Sequence, residues 1–267
     1  LTIDMRDFSA DHRWLSVNTA TLRGTGPLDV ILDACVARGI RAISPWRDQV
    51  HAIGLERTAS MVRDNGLDLS GYCRGGMFPA MDASGRLAAL DDNRRAVDEA
   101  KQLGAACLVL VVGSLPGALA GAPASKSLFA ARQDVHDGIA ATLEYARSVG
   151  MPLAIEPLHP MYAADRACVN TMEQALDLCD AIDPARAGRE RLLAFHVCDW
   201  LVPTRDLLND RGMMGDGVID IPQIRRWVET QGFDGYSEVE IFSADDWWKR
   251  PADEVLRTCI ERHRSVV

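Results

Sequence analysis

The sequence holds 267 residues, 48% hydrophobic and 25% charged, close to the average of soluble globular chains and long enough to bury a large core. Its formal net charge of −9 and the lack of a basic stripe exclude the usual nucleic-acid binder, which gathers Lys and Arg against phosphates. No apolar run nears the roughly 20 residues that span a bilayer, no basic-then-apolar leader opens the sequence, and the seven cysteines (Cys35, Cys73, Cys107, Cys168, Cys179, Cys198, Cys259) lack CxxC spacing, so a cytoplasmic protein with reduced thiols and no membrane contact is expected.

Short runs rich in Val, Ile and Leu alternate with amphipathic stretches that mostly close on a glycine, which predicts parallel strands joined by crossover helices. A strand is predicted over 14–22 (WLSVNTATL) and a helix over 27–39, closed by Gly39. A second strand over 41–46 (RAISPW) precedes a helix at about 53–65 that stops at Gly66, and a third strand spans 67–73 (LDLSGYC). A glycine-rich loop leads to a helix over 93–104 and then to the strand 106–113 (ACLVLVVG), apolar throughout as burial on both faces requires. A loop over 114–126, rich in Gly, Ala and Pro, precedes a helix over 128–149. The fifth strand, 152–158 (PLAIEPL), is followed by a helix over 171–182 with Thr171 as N-cap. A strand over 192–200 (LLAFHVCDW) leads through RDLLNDRGMMGDG to a helix at about 221–231, with Asp220 as N-cap and Gln223 as its capping-box partner. The strand 235–242 (GYSEVEIF) and a helix over 251–266 close the chain.

These are seven strand–helix units, whereas a closed barrel of this kind needs eight. Between Ile182 and Leu192 stands only DPARAGRER, too short for a strand and helix of roughly 30 residues. The expectation is one α/β domain over 1–267, a (β/α)8 TIM barrel with the sixth β/α unit missing. Either the barrel is open or a segment is absent from this chain.

In such barrels chemistry sits at the carboxyl ends of the strands. Glu156, in AIEPLHP, is a carboxylate in an otherwise apolar strand, costly to bury unless paired or metal-bound; the plain alternative is a strand-end glutamate facing water. His196, in LLAFHVCDW, is a ligand candidate or a hydrogen-bonded core histidine. Asp199, at the mouth of the same strand, could orient His196, bind metal or substrate, or merely open the loop. Glu238 and Glu240 share a strand face, with Glu240 expected at the mouth and Glu238 deeper against a basic group. His159 follows Glu156 in the loop, as a substrate contact or a surface residue. Carboxylate–imidazole sets of this type suit Mn2+, Mg2+, Co2+ or Zn2+. The Walker, GxGxxG and GxSxG patterns are absent. Trp247 and Trp248 fit a homodimer contact, a pocket wall or packing under the last helix.

AIEPLHP, AFHVCDW, MMGDGVIDIP and EVEIFSADDWW, in that order, resemble the sugar phosphate isomerase/epimerase group of the xylose-isomerase-like TIM-barrel superfamily. NTATL and SPWRD extend the resemblance to nearly the whole chain. It implies one divalent metal ion held by Glu, Asp, His and Glu at four strand ends. The first Glu falls on Glu156, the His on His196 and the last Glu on Glu240. The Asp belongs to a sixth strand of the form xDxxH, absent where the strand count also finds its gap. The resemblance further implies a sugar isomerase or epimerase working on a small carbohydrate through an enediolate, with Glu156 and Glu240 as ligands and acid/base groups. Trp46, Arg47, His159 and Asp199 would face the substrate. The alternatives are a lyase or dehydratase acting on a keto-sugar or keto-glycoside by the same proton abstraction, and a non-catalytic barrel subunit. The superfamily also contains DNA-repair nucleases of the endonuclease IV type, which the acidic charge and six histidines disfavour.

Overall fold

A computed structural model describes residues 5–121 and 124–267; positions 122–123 of the predicted Gly-, Ala- and Pro-rich loop lie outside the described residues, as do the first four. In chain order the elements are β1 (Leu15–Asn18), α1 (Leu28–Ala37), β2 (Ala42–Ser44), α2 (Arg47–Ile53), α3 (Leu55–Asp64), β3 (Asp68–Leu69), β4 (Tyr72–Gly75), α4 (Ala83–Leu103), β5 (Leu108–Val111), α5 (Leu128–Val149), β6 (Leu153–Glu156), α6 (Met172–Ile182), β7 (Phe195–Val197), β8 (Asp199–Trp200), β9 (Arg211–Gly212), α7 (Ile221–Thr230), β10 (Ser237–Val239) and α8 (Ala252–Ser265). They form two compact units. One comprises the chain up to Gly71 together with Gly188–Val267; the other is Tyr72–Ala187.

The first unit is built on a five-stranded sheet in the order β3-β2-β1-β10-β7, parallel throughout. Its central strands bury side chains on both faces, as the apolar runs require: Leu15, Val17, Ala42, Ile43 and Val239 are sealed from solvent. Pairing sets Glu238 beside both Ser16 and His196, so strands from the two ends of the chain bring their polar residues to one level. The second unit carries a parallel three-stranded sheet, β4-β5-β6. The wholly apolar β5 is buried along its length, while β6, at the sheet edge, is half-buried at all four positions.

Both predicted N-caps are present, while the capping box expected of Gln223 is not formed, its Oε1 accepting instead from Arg226 Nη2 at 2.7 Å. Thr171 Oγ1 accepts from Gln174 N at 3.3 Å and Asp220 Oδ1 from Gln223 N at 3.0 Å. Several boundaries differ for local reasons. The strand predicted over 14–22 ends at Asn18, whose side chain accepts from Ala20 N and turns Thr19–Leu22 into a 3-10 turn. The helix predicted at 53–65 starts at Arg47 and breaks at Gly54, whose φ of 98° lies in the region glycine tolerates. The helix predicted at 93–104 begins earlier, where Asp82 caps Gly85 N. The third predicted strand divides, β3 pairing with β2 and β4 with β5. The strand predicted over 192–200 also divides: β7 stays in the sheet, and β8 leaves to pair antiparallel with β9. Between α6 and β7 the described residues hold a 3-10 turn, Gly188–Arg191, and no strand. Among the described residues no helix is long and apolar enough to cross a membrane.

Candidate functional site

In the first unit the ends of β3, β1, β10 and β7 deliver a buried polar cluster. Glu238 and Glu240 are 1% and 4% exposed, so each carboxylate needs partners that replace water. Glu238 lies deeper, as expected, but its partners are chiefly neutral donors. Asn18 Nδ2 donates to its Oε1 at 2.8 Å and Ser70 Oγ to its Oε2 at 2.7 Å, while Ser16 Oγ joins Ser70 Oγ at 2.7 Å. The imidazole of His196 stands next to both carboxylates: Nε2 lies 3.2 Å from Glu238 Oε1, and Nδ1 lies 4.0 Å from Glu240 Oε2. Glu240 also receives Asn18 Nδ2 at 3.1 Å on Oε1 and Arg211 Nη1 at 3.1 Å on Oε2.

Arg211 arrives on the β8–β9 hairpin. Its backbone N–H donates to Phe242 O at 2.9 Å, and its guanidinium lies 4.9 Å from the centre of the Phe242 ring. Asp199 builds this hairpin. Its carboxylate, 1% exposed, accepts Trp200 N at 2.8 Å, Ile219 N at 3.0 Å and Gly215 N at 2.9 Å. Gly217 is needed there, because a Cβ would stand 2.2 Å from Trp200 O. Asp199 therefore shapes the 211–219 rim rather than the orientation of His196.

Trp46 follows β2 and donates its indole Nε1–H to Asn18 Oδ1 at 2.7 Å; its ring meets Phe242 edge-on at 5.5 Å. Arg47 is the first residue of α2 and half-buried. Trp247 packs into the core at 5% exposure, and the Trp248 ring meets Phe242 at 5.9 Å. Burial raises the Cys198 thiol above its ordinary pKa, so this neighbour of His196 stays protonated and offers no thiolate.

In the second unit Glu156 is the last residue of β6, paired in register with Val111 and half-buried. The loop behind it folds back through Leu158 N to Val169 O at 3.1 Å and is held by Asn170 Nδ2 donating to Leu158 O at 3.2 Å. His159 sits on that loop, exposed, with Nδ1 accepting Met161 N at 3.2 Å and capping a 3-10 turn.

The donor set within the first unit fits a divalent metal. Two ligands on one ion, each bonded at about 2.0–2.2 Å, stand up to about 4 Å apart, and His196 Nδ1 and Glu240 Oε2 are separated by 4.0 Å. A carboxylate behind the other ring nitrogen, the place of Glu238, is the usual outer partner of a metal-ligating histidine, which it orients. The sequence reading missed Asn18, Ser70 and Arg211. The first carried a legible signal, since a polar residue ending a buried strand needs partners as much as Glu156 does. Arg211 carried none, because its approach depends on the hairpin.

The family model described as xylose isomerase-like TIM barrel matches residues 32–189 and 184–261; the two matches meet at 184–189, the stretch with no room for a further strand and helix. No curated protein sequence matches the chain. Among solved structures, protein SMc04130 of Sinorhizobium meliloti 1021 is 58% identical with a TM-score of 0.90, over 95% of this chain and 98% of that one. The IOLI protein, solved with a zinc atom, is 18% identical with a TM-score of 0.77, over 93% and 95% of the two chains. D-psicose 3-epimerase of Clostridium cellulolyticum H10, solved with D-tagatose, is 11% identical with a TM-score of 0.65, over 92% and 97%.

Proposed function

Because the chain belongs to the xylose isomerase-like TIM-barrel family, we propose that it is a divalent-metal-dependent isomerase or epimerase acting on a sugar or sugar derivative. The observation that carries this reading is the His196 imidazole set between two buried carboxylates, 3.2 Å from Glu238 and 4.0 Å from Glu240. His196 and Glu240 would hold the ion, with Glu156 as the third protein ligand by its match to the family's motif. The ion, Mn2+, Mg2+, Co2+ or Zn2+, would polarise adjacent oxygens of the substrate and acidify the carbon beside its carbonyl.

The chain's own groups do the rest. Glu156 and Glu240 remove and return the proton on the carbon beside the carbonyl, passing through an enediolate. Arg211 and Asn18 hold the Glu240 carboxylate in one orientation. Trp46, Arg47 and His159 face the sugar, and Asp199 serves it by building the rim. We place this chemistry in a single domain of a cytoplasmic protein, with a small carbohydrate and no nucleic acid or membrane as partner and a homodimer as its assembly. The seven cysteines, all free thiols, support the reducing compartment.

The test is proton exchange. Ketoses, aldoses and keto-glycosides are incubated in D2O with the protein and each metal, and 1H NMR follows deuterium entering the carbon beside the carbonyl. Exchange in the wild type that is lost in Glu156→Gln and in Glu240→Gln is the expected result. Release of a leaving group instead would make the protein a lyase. No exchange with any substrate and metal would sink the enzymatic reading in favour of a non-catalytic barrel.

A further inference from the structure

We propose that Asn18, locked in one orientation by Trp46, is the positioning residue of the carboxylate–imidazole cluster. The inference takes its ligand from the metal reading above, but its geometry lies wholly within the first unit.

The Asn18 amide uses its full hydrogen-bonding capacity. Its Oδ1 accepts Trp46 Nε1–H at 2.7 Å and Ala20 N–H at 3.0 Å. Its Nδ2 donates to Glu238 Oε1 at 2.8 Å and to Glu240 Oε1 at 3.1 Å. An amide has two donor hydrogens and two acceptor lone pairs, and all four are engaged here. The residue is 0% exposed, so water cannot stand in for a lost partner.

This saturation makes the amide directional. Turned over, it would present its oxygen to two carboxylates and its NH2 to two N–H donors, four wrong contacts at once. Trp46 is what forbids the turn from the side chain, and Trp46 is itself fixed. Its backbone N–H donates to Thr19 Oγ1 at 3.1 Å, and Thr19 Oγ1 donates to Gln49 Oε1 at 2.5 Å. Its ring meets Phe242 edge-on, Phe242 meets Trp248, and Trp248 Nε1 donates to Ala20 O at 2.8 Å. The chain of contacts thus returns to Ala20, whose N–H already holds Asn18.

Glu238 and Glu240 lie two residues apart on one strand face, where like charges repel. A single NH2 between them turns that repulsion into two hydrogen bonds. It also aligns Glu238, which contacts His196, with Glu240, the proposed ligand. Leu at this position is close in size, has no NH2 to donate and adds no charge. Phe at position 46 keeps the ring and removes only the indole donor.

The experiment titrates Co2+ alone into the metal-free protein, followed by calorimetry and by the visible d–d band of the bound ion. Asn18→Leu is expected to weaken binding by about 10- to 100-fold, the usual effect of removing an outer partner of a ligand. Trp46→Phe is expected to weaken it by roughly 3- to 10-fold and to shift the band, with the thermal midpoint of the metal-free protein nearly unchanged. Wild-type affinity and an unshifted band in Trp46→Phe would overturn the proposal, including in the event that Asn18→Leu does not fold. If the wild type binds no Co2+, the metal reading fails on its own, and 15N NMR of the tryptophan indoles decides the positioning. Trp46 N–H should then resist solvent exchange and move in Asn18→Ala. An indole exchanging as fast as that of Trp227, which is 62% exposed, would overturn it.

Discussion

The first unit contains two buried polar clusters of opposite design. Around Glu229, 5% exposed, one carboxylate meets two guanidinium groups: Arg6 Nε at 3.0 Å and Arg225 Nε at 2.9 Å. The remaining donors of the two arginines go to the backbone oxygens of Asp234, Gly235, Val267 and Arg6. Around Glu238 and Glu240 the balance is reversed. Glu238 is met by Asn18, Ser70 and an imidazole, and the guanidinium of Arg211 is spent on Glu240. A cluster with cationic donors in surplus ties segments of chain together. One with carboxylates in surplus is at its most stable when it holds a cation, so the same residue types separate a structural node from a candidate site by stoichiometry alone.

Four substitutions sharpen that contrast. Glu240→Gln should lower metal-dependent proton exchange by about 10^2- to 10^4-fold, the usual worth of a positioned acid/base group, while leaving the thermal midpoint close to wild type; unchanged exchange rates would break the assignment. Glu229→Ala should do the opposite. It leaves two guanidinium groups without their carboxylate at a cost of about 3–5 kcal/mol, read as a fall of roughly 10 °C in the midpoint, with Co2+ binding intact in the folded protein. Glu238→Gln keeps the shape but weakens the hold on His196, and metal affinity should drop by about 10- to 100-fold, measured by the same calorimetry.

The smallest effect is one of pH and belongs to the structural node. His263 stacks on Phe8 at 4.4 Å, and the Arg225 guanidinium lies over the same ring, 3.5 Å from its centre. Burial, with Arg225, His12 and Arg6 adding positive charge, lowers the His263 pKa from 6.5 to about 3. The unfolded chain then binds a proton that the folded one refuses. The stability is complete above about pH 6.5 and is lost as pH falls toward 3, at up to about 1.4 kcal/mol per pH unit. Denaturant unfolding at pH 7 and 5.5 should show the loss, and His263→Phe should flatten it.

Much of this was legible in the sequence. The parallel α/β organisation follows from the alternation of apolar runs and glycine-closed helices, and Thr171 and Asp220 cap where their side chains predict. Glu156, His196 and Glu240 stood out because a titratable group in a Val-, Ile- and Leu-rich run is expensive. What was not legible depended on register or on non-local pairing. Ser70 reaches Glu238 across 168 residues, and Arg211 reaches Glu240 only because β8 leaves the sheet after Val197. Asp199 stood out by its place at the mouth of the His196 strand, but its three backbone N–H partners depend on how the chain returns at 215–219 and were not legible.

The pairing of β1 with β10 has a consequence for how the protein is made. Synthesis delivers Asn18 well before Glu238 and Glu240, with the whole continuous second unit in between. The second unit is drawn from a single uninterrupted stretch of nascent chain, whereas the first waits with β1 open on one side until β10 emerges. The candidate site therefore waits on the strand that follows the second unit, and truncation or stalling between residues 197 and 239 yields a chain that carries Asn18, Trp46 and His196 but cannot assemble the cluster they serve.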